Sequence, residues 1–511
     1  MPLRNPLVGI IKKVRPALER NEPVPHASFA VGRWIFVRWL AAIYLIAFLS
    51  LWMQIHGLIG ANGVSPVGEF LSAAYARFGE RSRLLLPTLL WFSSGDAALN
   101  AVCAAGALAC VLVLAGILQP LSLLAAWACY LSLVTGGQLF LSFQWDILLL
   151  ETGVLACLLA PVSWRSRLHS DGRPARPAVF LMHWLLFRLM FASGVVKLAS
   201  GDPVWRNLTA LAYHYETQPL PMWTSWYAHH LPLAVHRFSC AAMFGVELVL
   251  PFFIFGPKIF RRTAAGGIIL FQLLILATGN YAFFNWLTIG LCVLLLDDAC
   301  WPQALRRRVE SAASPGQRPS ARGWPAWLLA PIAAVLILLS VVPLASLRRR
   351  SPHLPEWLLT AYEYTMPFHL VNGYGLFAVM TTQRHELIVE GSRDGKTWEA
   401  YEFRYKPGDP SRPPRFAAPH QPRLDWQMWF AALGSYPQNP WVLRFAERLL
   451  EGSPDVLRLL ARNPFADAPP KFIRVMVDDY HFSSPQERRA SGIWWTRKRL
   501  GAYCPVLSLK D

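Results

Sequence analysis

The sequence predicts a multi-pass α-helical membrane bundle of about nine spans. A β-rich, sandwich-like C-terminal extramembrane domain with helical insertions follows it. Three observations carry this expectation. Hydrophobic residues make up 54% of the 511 positions and charged residues only 16%, against roughly a quarter charged in soluble domains. Several apolar runs approach the roughly 20 residues that span a bilayer core. Beyond residue 350 the chain turns mixed, Pro-rich and charged, with period-two runs. The net charge of +18 is not a nucleic-acid signature. The basic residues gather at the ends of apolar runs, as the positive-inside rule expects of a chain whose partner is a lipid bilayer.

Residues 1–33 are basic and read as a cytoplasmic N-terminal segment. Spans are expected at about 34–55, 97–118, 121–135, 139–160, 178–199, 234–255, 264–278, 283–296 and 324–347. The loops at 161–177, 256–263 and 297–323 are Arg-rich, so they fall inside. The loop at 200–232 is rich in Trp, Tyr and His, and falls outside, together with 351–511. Arg348, Arg349 and Arg350 run against the rule. The Pro-, Ser- and Arg-rich stretch 311–323 reads as a flexible linker.

In the C-terminal region His385–Ser392 reads as a strand, Asp394-Gly395 as a turn and 397–405 as the returning strand. Alternation puts Tyr401, Phe403 and Tyr405 on one face. A further strand is expected at 471–482, and helices at 426–433, 440–451 and 454–461.

The ionisable residues inside the expected spans are Arg38, Asp146, Glu151, Arg188, Lys197 and Glu247. An intramembrane charge must be paired or face a polar cavity. On a structural reading the three carboxylates pair with the three cations. Arg188 and Lys197 lie nine residues apart, about 180° around a helix, so they serve separate contacts. Lys197 follows Gly194, which lets a neighbouring helix approach. A lysine enclosed there is also a candidate base, should burial lower its pKa. His214, His229, His230 and His236 with Glu216 match no standard zinc spacing, and no metal or cofactor is expected. Tyr213, Trp205 and the other loop aromatics suit an interfacial belt or a docking surface. Eight Cys without a CxxC pair argue against a disulfide framework. No motif of a soluble hydrolase or nucleotide-binding enzyme occurs in a fitting context.

The runs FQWDILLLETG, RLMFASGVVKLASGDPVWRNLTALAYHYETQPLP, TGNYAFFNWLTIGLCVLLLDD and VNGYGLFAVMTTQRHELIVEGSRDGKTWEAYEFRYKPG resemble the lipase maturation factor family. So do DWQMWFAAL and NPWVLRFAERLLEGSPDVLRLLARNPF, and the likeness spreads over about residues 30–483. The resemblance implies a membrane chaperone that assists folding and assembly of secreted lipases, with a lumenal C-terminal domain. It implies the endoplasmic reticulum membrane in a eukaryotic host and the inner membrane in a bacterial one; the Arg-heavy, Lys-poor usage looks bacterial. It brings no catalytic residues. The segment ASGVVKLASGDPVW is also similar to part of the vitamin K-dependent γ-carboxylases, where the matching lysine acts as base. Gly194, Lys197, Leu198, Asp202 and Trp205 fall on that pattern. SRDGKTW resembles a hairpin of discoidin-like sandwiches. Three functions follow in order: a non-enzymatic maturation factor holding a secreted client protein, a membrane enzyme with Lys197 as base on a lipid or quinone-like substrate, and a transporter. The residues expected to carry client or structural contacts are Asp146, Glu151, Arg188, Lys197, Asp202, Trp205, Tyr213, His214 and Glu247.

Overall fold

The computed structural model describes residues 28–168, 171–311, 323–348 and 353–509. Most of the basic N-terminal segment, the linker residues 312–322, Arg349 and Arg350 lie outside the described residues.

The principal helices of the first part are α1 (Ala30–Trp52), α2 (Asp96–Ala115), α3 (Gln119–Gly136), α4 (Gln144–Leu159), α5 (Arg176–Ala199), α6 (Leu233–Leu248), α7 (Lys258–Leu276), α8 (Phe284–Val293) and α9 (Ala326–Leu339). They fall where the apolar runs predict them. Among the described residues, six helical segments are long and apolar enough to cross a membrane: α1, α2, α5, α7, and α6 and α9 with their continuations to Phe253 and Ala345. The other three are shorter or more polar. The 10 residues of α8 rise only about 15 Å, half of a roughly 30 Å core. α4 has 16 residues and carries Asp146 and Glu151.

The bundle has two chemically distinct ends. At the lower end the Asp298 carboxylate accepts from the backbone N–H groups of Ala30 and Val31, at 3.2 and 2.9 Å. Arg262 and Arg261 reach Asp297 at 3.0 and 3.6 Å. The described parts of the Arg-rich loops lie here. At the upper end α1, α5 and α7 finish, α4 begins, the 200–232 loop folds into short helices, and the C-terminal region docks.

That region starts with α10 (Glu356–Thr365). Its strands are β1 (His385–Ser392), β2 (Glu399–Ala400), β3 (Phe472–Phe482) and β4 (Trp495–Ala502), with α11 (Arg423–Ala432) and α12 (Trp441–Leu450) between β2 and β3. The four strands form a small antiparallel sheet in the order β2-β1-β3-β4. β1 packs on α11 and β3 on α12. On the opposite face Ile388, Tyr480, Phe482 and Trp495 close over Trp226 from the 200–232 loop. Helices and a membrane loop therefore supply the layers that flank this one sheet.

Two features differ from the sequence expectation. The returning strand pairs with β1 at Glu399 and Ala400, and its last bond to β1 is Tyr401 N to Val389 O at 2.9 Å. The Asp425 carboxylate then accepts from the backbone N–H groups of Tyr405 and Lys406, at 2.8 and 2.9 Å, and draws the chain toward α11. Tyr401 and Phe403 still point inward, each 3% exposed. β4 has no counterpart in the expectation. It is an edge strand whose Arg497, Lys498, Arg499 and Leu500 are exposed, so no apolar alternation marks it. Charged side chains of this kind keep an open edge from pairing with other chains.

Candidate functional site

The intramembrane charges resolve into three buried ionic sites near the upper end. The first joins α5 to α6. Lys197 Nζ donates to both Glu247 carboxylate oxygens at 2.9 Å and to Ser193 O at 3.1 Å. Lysine has three N–H bonds and here each has an acceptor. Trp205 lies beneath, with its ring centroid 5.5 Å from the ammonium. Gly194 makes the approach of α6 possible: a Cβ there would lie 2.6 Å from Leu248 Cδ2 and 3.0 Å from Glu247 Cβ.

The second joins α5, α4 and the strap of residues 369–384. Arg188 donates to Glu151 Oε1 and to Asn372 O. Glu151 Oε2 accepts from Asn372 N at 2.9 Å, Asn372 Nδ2 at 3.0 Å and the Tyr374 hydroxyl at 2.7 Å. The nine-residue spacing thus sends Arg188 to α4 and Lys197 to α6.

The third joins α4 to the C-terminal domain. Arg423 on α11 grips Asp146 with Nη2 and Nη1, at 2.8 and 2.9 Å, and donates from Nη1 to Phe140 O at 2.7 Å. The Tyr130 hydroxyl donates to Asp146 Oδ1 at 2.6 Å. This corrects the structural reading of the sequence, which assigned Asp146 to an intramembrane cation. Arg38 is the cation left over. It lies toward the lower end, stacked 4.1 Å over Trp34, and donates to Trp34 O and Ser166 O. Arg38 sits near the start of a helix rising from the lower end, and Asp146 near the start of one descending from the upper end. That difference in depth was present in the sequence and separates the two.

Around these sites the strap is stitched to the 200–232 loop. The Asp202 carboxylate accepts from Val204 N at 2.9 Å, as a helix cap, and from Met380 N at 2.7 Å. Trp205 Nε1 donates to Phe377 O at 3.0 Å. Arg384, fully buried, donates to the carbonyls of Glu216, Gln218 and Pro219 and to Glu386. Glu216 accepts from Phe482 N at 2.7 Å and contacts His481 at 3.1 Å. His214 meets the Tyr281 hydroxyl at 3.0 Å; burial pushes its pKa down to about 4, with Lys197 adding to the shift. Asn280 fastens α7 to the domain through Ala417 N and Arg415 O, at 2.7 and 2.8 Å. Tyr213 stands apart, exposed at the surface. Among the described residues no cluster of His, Cys, Asp and Glu is arranged to hold a metal ion, and the eight Cys are free thiols.

Sequence reasoning missed Asn372, Tyr374, Arg384 and Arg423, all from the C-terminal half. Their long-range partners lie more than 150 positions away, and no local pattern marks such residues.

The fold and these sites define a multi-pass membrane protein with an extramembrane domain clamped to one end of its bundle. Residues 31–303 match the lipase maturation factor transmembrane domain, and residues 370–505 match the lipase maturation factor C-terminal domain. Lipase maturation factor 2 of Homo sapiens is 36% identical over 611 aligned positions, covering 95% of this chain and 84% of the relative. Lipase maturation factor 1 of Homo sapiens is 36% identical over 525 positions, covering 95% and 89%. Lipase maturation factor 2 of Xenopus laevis is 36% identical, covering 94% and 83%. The chain belongs to the lipase maturation factor family. No solved structure matches it.

Proposed function

We propose that this protein is a membrane-anchored maturation factor for lipases, which holds a secreted lipase client during folding without covalent chemistry. The observation that carries the reading is the similarity to lipase maturation factors 1 and 2 along almost the whole chain. Among the three functions drawn from the sequence, the geometry at Lys197 favours this one. Its ammonium has three acceptors, so it offers no lone pair to a substrate while the pair with Glu247 holds.

On this reading the Arg-rich lower end is cytoplasmic, and residues 34–347 form the bundle with nine crossings. The 200–232 loop and residues 351–511 face the lumen of the endoplasmic reticulum, or the periplasm in a bacterial host. The buried residues Asp146, Glu151, Arg188, Lys197, Asp202, Trp205, His214 and Glu247 set the shape of the upper end. Exposed Tyr213, Trp223 and Tyr227 meet the client.

The test is complementation. The chain is expressed in cells lacking their own lipase maturation factor, and secreted lipase activity is measured per unit of lipase protein. Restored specific activity is the expected result. Normal membrane levels of the chain with no gain in specific activity would refute the reading.

A further inference from the structure

A cleft opens at the upper rim of the bundle, between the end of α5, the continuation of α9, α10 and the strap. Its volume is about 430 Å³, inside the roughly 300–1,000 Å³ of small-molecule sites. Nothing in the proposed function uses it.

Its walls change character with depth. α5 rises toward the upper end, so Val196 lies deeper than Ser200. The continuation of α9 (Val341–Ala345) rises in the same sense, so Val342 and Pro343 lie deeper than Ser346. The deep wall is therefore aliphatic, while the rim adds the hydroxyl groups of Ser200 and Ser346 beside Leu347. The Ser200 hydroxyl donates to Lys197 O and accepts from Asp202 N, which leaves it one lone pair. Ser346 donates to Val342 O at 2.9 Å, which leaves its oxygen lone pairs open. Tyr362 of α10 also lines the cleft. Among the described residues its hydroxyl has no hydrogen-bond partner, so it is a free donor for an ester or carboxylate oxygen.

Two further features fix the level and the roof. α10 exposes Trp357 at 61% and Tyr364 at 78%, side chains that settle at the headgroup boundary of a bilayer. The roof is the strap at Gly373–Gly375. Gly375 takes φ +150, and a Cβ there would lie 2.7 Å from both Val196 methyl groups. The strap lies close on α5 only because that position has no side chain.

We infer that this cleft binds one acyl chain of a bilayer lipid, with the chain against Val196, Val342 and Pro343 and the polar head at Ser200, Ser346 and Tyr362. An aliphatic floor beneath a hydroxylated rim, at the depth where tails meet headgroups, fits a molecule with that same order of polarity. The inference rests on the membrane placement of the bundle and not on the lipase reading.

The test uses the full chain in phosphatidylcholine vesicles. One arm carries a trace of phosphatidylcholine with a diazirine on its acyl chain; the other carries a diazirine fatty acid. After illumination and digestion, adducts are mapped by mass spectrometry. Adducts concentrated on 196–200 and 342–347, from either probe, are the expected result, and the stronger probe names the lipid source. Ala199→Trp and Gly373→Leu fill the cleft from opposite walls. Each reduces these adducts severalfold and leaves labelling around Val335, which is exposed on α9, unchanged. The thermal unfolding of each variant is measured beside the parent. An even spread of adducts over the apolar helices of the unaltered chain overturns the inference without recourse to a variant. Cleft labelling that persists in a filled, stably folded variant overturns it as well.

Discussion

Replacing Arg423 by Met isolates the clasp between the C-terminal domain and the bundle. Arg423 and Asp146 are 1% and 0% exposed in their side chains, so water does not take over when the guanidinium goes. Asp146 loses both charge-assisted bonds and keeps only the Tyr130 hydroxyl. Leaving one member of a buried pair costs about 3–5 kcal/mol. Phe140 O loses its donor as well, which adds about 1 kcal/mol. The sum, about 4–6 kcal/mol, is a large share of the roughly 5–15 kcal/mol that holds a typical protein folded. At about 2–4 °C per kcal/mol it lowers the apparent Tm by roughly 8–24 °C. The assay is thermal unfolding in detergent by tryptophan fluorescence, with limited proteolysis of the region beyond residue 423 as a second readout. The decisive control removes the whole polar set. With Asp146→Leu and Tyr130→Phe added, no buried charge is stranded, and most of the lost stability returns. If Arg423→Met melts with the parent and resists protease equally, the clasp does not join the two parts.

Three further outcomes are expected. Lys197→Met leaves Glu247 charged and enclosed, costs about 3–5 kcal/mol and lowers lipase secretion in parallel; adding Glu247→Met restores both, which a catalytic lysine would not permit. Gly375→Ala forces a side chain onto Val196 at a left-handed backbone position and costs about 1–3 kcal/mol, read as increased protease sensitivity of the strap. Burial, with Arg423 and Arg404 adding to it, pushes the His420 pKa down to about 4, as burial does for His214. The unfolded chain then takes up protons first. The stability these rings contribute is complete above pH 6.5 and is lost as pH falls toward 4. A Tm series across that window shows the decline, and His420→Gln flattens part of it.

The helices of the bundle were legible because hydropathy over 10 to 24 residues leaves little choice of structure in a bilayer. The C-terminal strands β1 and β3 were legible for the same kind of reason, since β1 carries Leu, Ile and Val and β3 carries Phe, Ile, Val and Met. What stayed hidden has physical causes. β4 faces water along most of its length, so it carries Arg and Lys where a pattern would be sought. The returning strand was overestimated because Tyr401 and Phe403 alternate correctly even after the chain leaves the sheet for Asp425. At the candidate site the sequence identified the carboxylates of α4 and α6 but not their full set of partners. Pairing by charge count within the spans ignored depth, and depth is what excludes Arg38 from Asp146. Arg423, Asn372 and Tyr374 sit in ordinary polar surroundings in the sequence and become intramembrane partners only once the strap and α11 dock.

That docking has a consequence for the order of synthesis. Asp146 is made 277 residues before Arg423, and Glu151 is made 221 residues before Asn372. At roughly 5–20 residues per second, Asp146 waits about 15–55 s for its guanidinium. During that interval α4 must be held at the membrane with an unmatched carboxylate. The half-made bundle is therefore unfinished in a way that insertion alone cannot repair. A chain halted after Tyr374 and before Arg423 would hold every partner of Glu151 and leave the site at Asp146 open. The last quarter of the polypeptide thus supplies the closing step of the bundle's own polar pairing, and a copy that stops short of Arg423 keeps an unmatched carboxylate on α4.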